Sequence, residues 1–143
     1  MKKGGRHTVS DIAELSRWKL SLAVAFSAVT GYMLCAGEEP RGVVIAGAGV
    51  FLLSAGASAL NQFTERRSDA LMERTAGRPL PSGRMAPPAA MVAAVILLAA
   101  GIVLLARGGT WPVLLGALNV ILYNLIYTGL KKKTTLAIIP GAL

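Results

Sequence analysis

The stretch NQFTERRSDALMERTAGRPLPSGR, residues 61–84, decides how this chain is to be read, because long apolar runs flank it on both sides. It gathers three of the seven acidic residues and five of the fifteen basic ones. Gly77, Pro79, Pro81 and Gly83 break any helix over its second half. The first half carries no such breaker. If a helix arriving from residue 57 persists to about residue 72, Asn61, Glu65 and Asp69 recur every four residues and drift only about 40° per step. One stripe then offers an amide and two carboxylates to a common partner. Ion pairs with Arg66, Arg67 or Arg74 on a solvated helix end are the ordinary alternative.

Working outward, residues 42–60 are apolar and rich in small residues, among them Gly47, Gly49, Ser54, Gly56 and Ser58. Small residues let helix backbones approach closely in lipid, so this run predicts a packed inner transmembrane helix. Residues 20–36 predict the first spanning helix, with Arg17 and Lys19 placed to snorkel. Residues 1–19 are polar and basic and read as a cytoplasmic arm or short interfacial helix, with Ser10 and Asp11 as a possible cap and Ile12, Leu15 and Trp18 on one apolar side.

On the other flank, residues 61–85 are too polar to span and read as a cytoplasmic loop carrying the acidic residues. Residues 86–106 form a uniformly aliphatic third run, with Pro87 and Pro88 suited to its first turn, where a missing N–H costs little. Residues 111–130 form a fourth, with Trp111 at one interface and Tyr123 and Tyr127 toward the other. Asn119 and Asn124 within it read as buried polar groups, bonding between helices or meeting a polar part of a substrate. Residues 135–143 begin a fifth apolar run. The fold class is therefore all-α: a polytopic membrane helix bundle of four transmembrane helices plus the start of a fifth.

Composition agrees. A hydrophobic fraction of 54%, a mean hydropathy of +0.58 and only 15% charged residues exclude an ordinary soluble domain. The formal charge of +8 could suggest nucleic acid, but no basic stripe interleaves with aromatics and the charges fall only between apolar runs. Anionic membrane lipid and a diphosphate suit that charge better. Thirteen of the fifteen basic residues fall on one side of this topology and only Arg41 and Arg107 on the other, which sets the N-terminus and the acidic loop in the cytoplasm. The single Cys35 cannot form an internal disulfide and reads as a small buried side chain, His7 has no ligand-spaced neighbour, and no cleavable signal peptide is evident.

The pattern Asn61-x3-Glu65-x3-Asp69-x-Leu71-Met72-x-Arg74-Thr75-x2-Arg78-Pro79-Leu80-Pro81-x-Gly83-Arg84 resembles the first acidic motif and following loop of the UbiA superfamily of intramembrane prenyltransferases. Lys19-Leu20-Ser21-Leu22 leading to Thr30-Gly31-Tyr32, and the run from Tyr127 through Lys131, Lys132 and Lys133 to Thr134, agree in order and spacing, so the resemblance covers almost the whole chain. Within the superfamily it is most similar to the protoheme IX farnesyltransferase (heme O synthase) branch, since other branches more often carry Asn-Asp where this chain has Asn61-Gln62. The resemblance implies an enzyme of the bacterial-type plasma membrane that transfers the farnesyl group of farnesyl diphosphate to a vinyl group of heme B. It further implies Mg2+ held by two acidic motifs.

Residue chemistry is compatible with that. Carboxylates near a bilayer are costly and two on one stripe repel, so a cation is a natural partner, and Mg2+ takes oxygen ligands from one or two carboxylates together with waters and phosphates. Asn61, Glu65 and Asp69 are the expected metal-binding and catalytic residues; Arg74 and Arg78 would clamp the diphosphate and Lys131 would add a point charge. A prenyltransferase with another aromatic acceptor and a noncatalytic membrane scaffold are the alternatives. The superfamily has two acidic motifs, whereas no Asp or Glu follows Glu73. The expectation is thus an N-terminal half, completed by a missing C-terminal half and inactive in prenyl transfer alone.

Overall fold

Inside lipid a backbone must satisfy its own hydrogen bonds, so each long apolar run has little choice but to coil. A computed structural model of the chain describes residues 9–36 and 39–127. Helix α1 covers Val9–Leu15, α2 Trp18–Ala36, α3 Pro40–Ala70, α4 Glu73–Ala76, α5 Pro87–Ala106 and α6 Thr110–Ile121, which runs into a π-helical segment at Leu122–Tyr127. No strand occurs among the described residues.

Helices α2, α3 and α5 are each long and apolar enough to cross a membrane. Among the described residues three helices meet that description, and the expected fourth run, 111–130, is described only to residue 127. Helix α6 has only 12 residues, and its apolar stretch ends at Leu125, short of the roughly 20 residues that a bilayer core takes. The expected start of a fifth helix at 135–143 lies outside the described residues, as do His7 and Lys131.

Helix α3 is the axis of the bundle, with α2 packed on one side and α5 on the other. Glycines bring α3 and α5 into backbone contact. A Cβ on Gly56 would lie 2.8 Å from the Leu98 nitrogen, and one on Gly101 would lie 2.8 Å from that of Leu53. Larger residues there would wedge the helices apart. On α5 the small residues Ala90, Ala94 and Gly101 turn inward with Leu105, while Val92, Val95, Ile96 and Val103 face out. Pro87 occupies the start of α5, where its missing N–H has no partner to lose.

The 31 residues of α3 span about 46 Å at 1.5 Å per residue, against a hydrocarbon core of about 30 Å. The helix therefore outruns the apolar layer by about three turns. Residues 61–70, expected within the polar loop, are those turns. Polarity marked where the membrane ends, not where the helix ends, and no Gly or Pro interrupts the chain between Gly56 and Gly77.

Residues 9–15 are not a loose arm. Leu15 is fully buried among Ala59, Leu80, Met85, Ala90 and Ala94, which seats α1 against α3, α5 and the loop between them. Ile12 and Trp18, expected on the same apolar side, are 41% and 46% exposed, and Ser10 and Asp11 lie in the first described turn of α1. Arg17 adopts a left-handed φ of 48° that turns the chain from α1 into α2. Three further expectations are corrected: Cys35 is exposed, Asn119 is exposed, and Asn124 Nδ2 donates to the Val120 carbonyl of its own helical segment at 3.2 Å instead of to another helix.

Candidate functional site

The overhanging turns of α3 bring Asn61, Glu65 and Asp69 onto one stripe, and despite their polarity they are only 7%, 7% and 5% exposed. Asn61 Nδ2 donates to Glu65 Oε2 at 3.1 Å. Asp69 Oδ2 accepts from Arg78 Nη1 at 2.7 Å. Thr75 Oγ1 donates to the Asp69 carbonyl at 2.8 Å and so closes the C-terminus of α3, whose last carbonyls have no helical partner. Arg66, an ordinary candidate for pairing with Glu65, instead lies 4.3 Å from the Phe63 ring and donates to the Phe63 carbonyl at 2.7 Å. Arg74 is exposed on α4 and makes no ion pair among the described residues. Of the two described basic residues expected to bind diphosphate, Arg78 is thus brought to the Asp69 carboxylate and Arg74 is not.

Apolar burial fixes the loop that carries Arg78. Pro79, Leu80 and Met85 are buried, and the Met85 N–H donates to the Pro79 carbonyl at 2.9 Å. Gly83 has a φ of +73°, a conformation that favours glycine, and lets the chain turn back toward Pro87. Ser82 Oγ donates to the Arg78 carbonyl at 2.6 Å.

Helices α2, α3 and α6 surround a largely apolar cavity of about 1460 Å³. Its α3 wall includes Val50, Ser54, Ala57 and Ser58, and Asn119 and Tyr123 line it from the α6 side. The steps from Val50 to Ser54, Ala57 and Asn61 are of three or four residues, and Glu65 and Asp69 continue the row. Asn61 therefore continues the helical stripe that walls the cavity one turn past its last α3 residues, Ala57 and Ser58, and Glu65 and Asp69 follow about two and three turns past them.

Two contributors escaped the sequence reading. Gln62 is 2% exposed, and its Nε2 donates to the carbonyls of Glu14 at 3.1 Å and Leu15 at 2.9 Å, capping the end of α1. Its position three residues beyond the buried Ala59 was the available signal. Arg84 bonds Asp11 Oδ1 through Nη1 at 2.6 Å, and Glu14 Oε2 and the Gly77 carbonyl through Nη2 at 2.9 and 2.7 Å. The hydrogen bond to Glu14, more than any other cause, holds the guanidinium above its ordinary pKa. Asp11 and Glu14, one turn apart on α1, were the visible half of that contact.

The donor set at the stripe is all oxygen: two buried carboxylates and one amide. No group of three or more His, Cys, Asp or Glu side chains able to hold a metal occurs among the described residues. Such a set does not fit a metal wanting an all-protein cage. It does fit Mg2+, which keeps waters and takes phosphate oxygens beside one or two carboxylates.

Comparison with known proteins gives the same direction. The model of the UbiA prenyltransferase family matches residues 24–143. A protoheme IX farnesyltransferase of Geobacter sulfurreducens is 43% identical over 128 residues, covering 90% of this chain and 47% of that protein. Those of Christiangramia forsetii and Nitratidesulfovibrio vulgaris are each 39% identical, over 94% and 96% of this chain and 45% and 48% of their own lengths. The chain thus spans about half the length of the curated relatives it matches. No solved structure matches it. With most of its length matched by the family model and a buried acidic stripe on the helix that walls an apolar cavity, the chain belongs to the UbiA prenyltransferase family.

Proposed function

We propose that this chain supplies the diphosphate-binding side of a heme-farnesylating site, with farnesyl diphosphate as donor and heme B as acceptor. The observation that carries the reading is the burial of Asn61, Glu65 and Asp69 on the α3 stripe that also walls the cavity. Buried carboxylates are retained at a cost, and a site for a cation and a polyanion gives them a use. The names of the relatives supply the donor and acceptor.

In this reading Asn61, Glu65 and Asp69 hold Mg2+, which when bound offsets the charge gathering on the departing diphosphate. Arg78 moves its guanidinium from Asp69 to phosphate oxygens, for which its planar fork is suited. Arg74 and Lys131 would contribute further positive charge toward the diphosphate. The apolar cavity receives the isoprenoid and keeps water from the allylic carbon as its bond to oxygen breaks. A second acidic motif comes from a C-terminal half, and the site opens to the cytoplasmic side of the plasma membrane, where the basic residues gather.

Titration of the chain in lipid nanodiscs with farnesyl diphosphate, with and without Mg2+, tests the donor side. Binding is expected to require Mg2+ and to be lost in Glu65→Gln and Asp69→Asn. Binding that ignores both substitutions overturns the reading. The acceptor is tested by mass spectrometry for heme O in membranes where the chain is paired with the C-terminal half of the Geobacter sulfurreducens relative.

A further inference from the structure

Arg84 makes contacts that surround Arg78, which pairs with the Asp69 carboxylate. Its Nη2 bonds the carbonyl of Gly77, the residue immediately before Arg78. Its Nε donates to Ser82 Oγ at 3.2 Å, and that hydroxyl in turn donates to the Arg78 carbonyl at 2.6 Å. Both ends of the 77–82 segment are thereby tied to a single guanidinium. The same guanidinium is anchored to α1 by Asp11 through Nη1 and by Glu14 through the Nη2 that also bonds Gly77, and α1 is fixed to α3 by Gln62, the residue next to Asn61.

We propose that Arg84 is a positioning residue, which uses α1 as a strut to hold the 77–82 segment so that Arg78 meets Asp69. The inference rests on the diphosphate reading of that stripe. A loop of this kind would otherwise lose its ordering entropy at each binding event. Arginine suits the task because its fixed fork of five N–H donors can serve two carboxylates, a carbonyl and a hydroxyl together, which a lysine ammonium with three donors cannot. Helix α1 becomes a part of the site in this view.

Hydrogen–deuterium exchange and titration with inorganic pyrophosphate and Mg2+, both on the full chain in nanodiscs, provide the test. Arg84→Gln is expected to speed exchange at the amides of residues 75–83, leave α5 protected, and weaken Mg-dependent pyrophosphate binding by about tenfold, the usual scale for outer partners of a metal site. The pair Asp11→Asn with Glu14→Gln, which keeps Arg84, should do the same, and combining all three should add little. Arg84→Lys should recover only part of the affinity. Arg67→Gln, at an exposed arginine of α3 with no ion pair, should change neither readout. Unchanged exchange at 75–83 in Arg84→Gln overturns the proposal, and so does faster exchange with undiminished affinity. If the wild-type chain binds no pyrophosphate in the presence of Mg2+, it is the diphosphate reading that falls, and the exchange data distinguish that case.

Discussion

Arg78 reaches back nine residues to Asp69, its Nη1 2.7 Å from Oδ2, with 7% of the carboxylate side chain and 27% of the guanidinium side chain exposed. The contact crosses from the loop to the end of α3 and neutralises a carboxylate that would otherwise be buried with its charge exposed to little solvent. It also means that the candidate anion-binding group and one candidate cation-binding group occupy each other until ligands separate them.

An exchange of partners follows from that contact. Arg78→Gln should weaken diphosphate binding, because the bidentate donor is gone, and should strengthen binding of Mg2+ alone, because Asp69 is released. The second effect is expected to be about threefold to tenfold, on the scale of about 1 kcal/mol for a partly exposed ion pair. Calorimetric titration with Mg2+ in the absence of diphosphate checks it. Weaker Mg2+ binding in the variant would show that Arg78 supports the metal position instead of competing for it.

Gln62 makes a second prediction, through α1. Its Nε2 serves two carbonyls at the end of α1, which the helix cannot satisfy internally. Gln62→Leu keeps the bulk and removes the donor, and should lower stability by about 1–3 kcal/mol. Exchange at the amides of residues 9–16 should rise before any other helix opens. Uniform loosening of the whole bundle would instead mean that α1 has no separate docking energy.

Much of this arrangement could be read from the chain because it depends on local spacing. Apolar run length gave α2, α3 and α5, and a four-residue repeat gave the Asn61, Glu65 and Asp69 stripe. What could not be read depends on the path of the loop. Arg74 and Arg78 have the same spacing as the acidic residues, yet α4 ends at Ala76, so the helical register fails between them and only Arg78 turns to Asp69. Contacts of Gln62 with Leu15 and of Arg84 with Asp11 join residues 47 and 73 positions apart, beyond any periodicity. Asn119 was misjudged for another reason: a polar residue in an apolar helix suggested burial, but here it lines a cavity and is exposed.

The α3–α5 seam predicts a steric cost. A Cβ on Gly101 would lie 2.8 Å from the Leu53 nitrogen and 3.1 Å from the Gly49 carbonyl oxygen, both backbone atoms that move only with their helix. Gly101→Ala should therefore destabilise by about 1–3 kcal/mol. Gly31→Ala, where nothing lies within 4 Å, should not, and the gain in helix propensity could make it slightly stabilising. Reversible unfolding of the two variants in mixed micelles compares them directly. Equal stabilities would indicate that the two helices do not touch at their glycines.

Orientation in the membrane can be tested with the lone cysteine. Helix α2 has 19 residues, about 28 Å at 1.5 Å per residue, so it is matched to the hydrocarbon and sets its two ends at opposite headgroup layers. Trp18 marks one end, with the Lys19 ammonium 5.8 Å from its ring, and the exposed Cys35 lies at the other. The preponderance of basic residues on the Trp18 side predicts that this side is cytoplasmic. A membrane-impermeant maleimide should then label Cys35 in intact spheroplasts. In a Cys35→Ala background, Ser82→Cys, at an exposed position of the Arg78 loop, should react only after lysis. The reverse pattern would turn the bundle over and set the acidic stripe facing outward, away from metabolites in the cytoplasm.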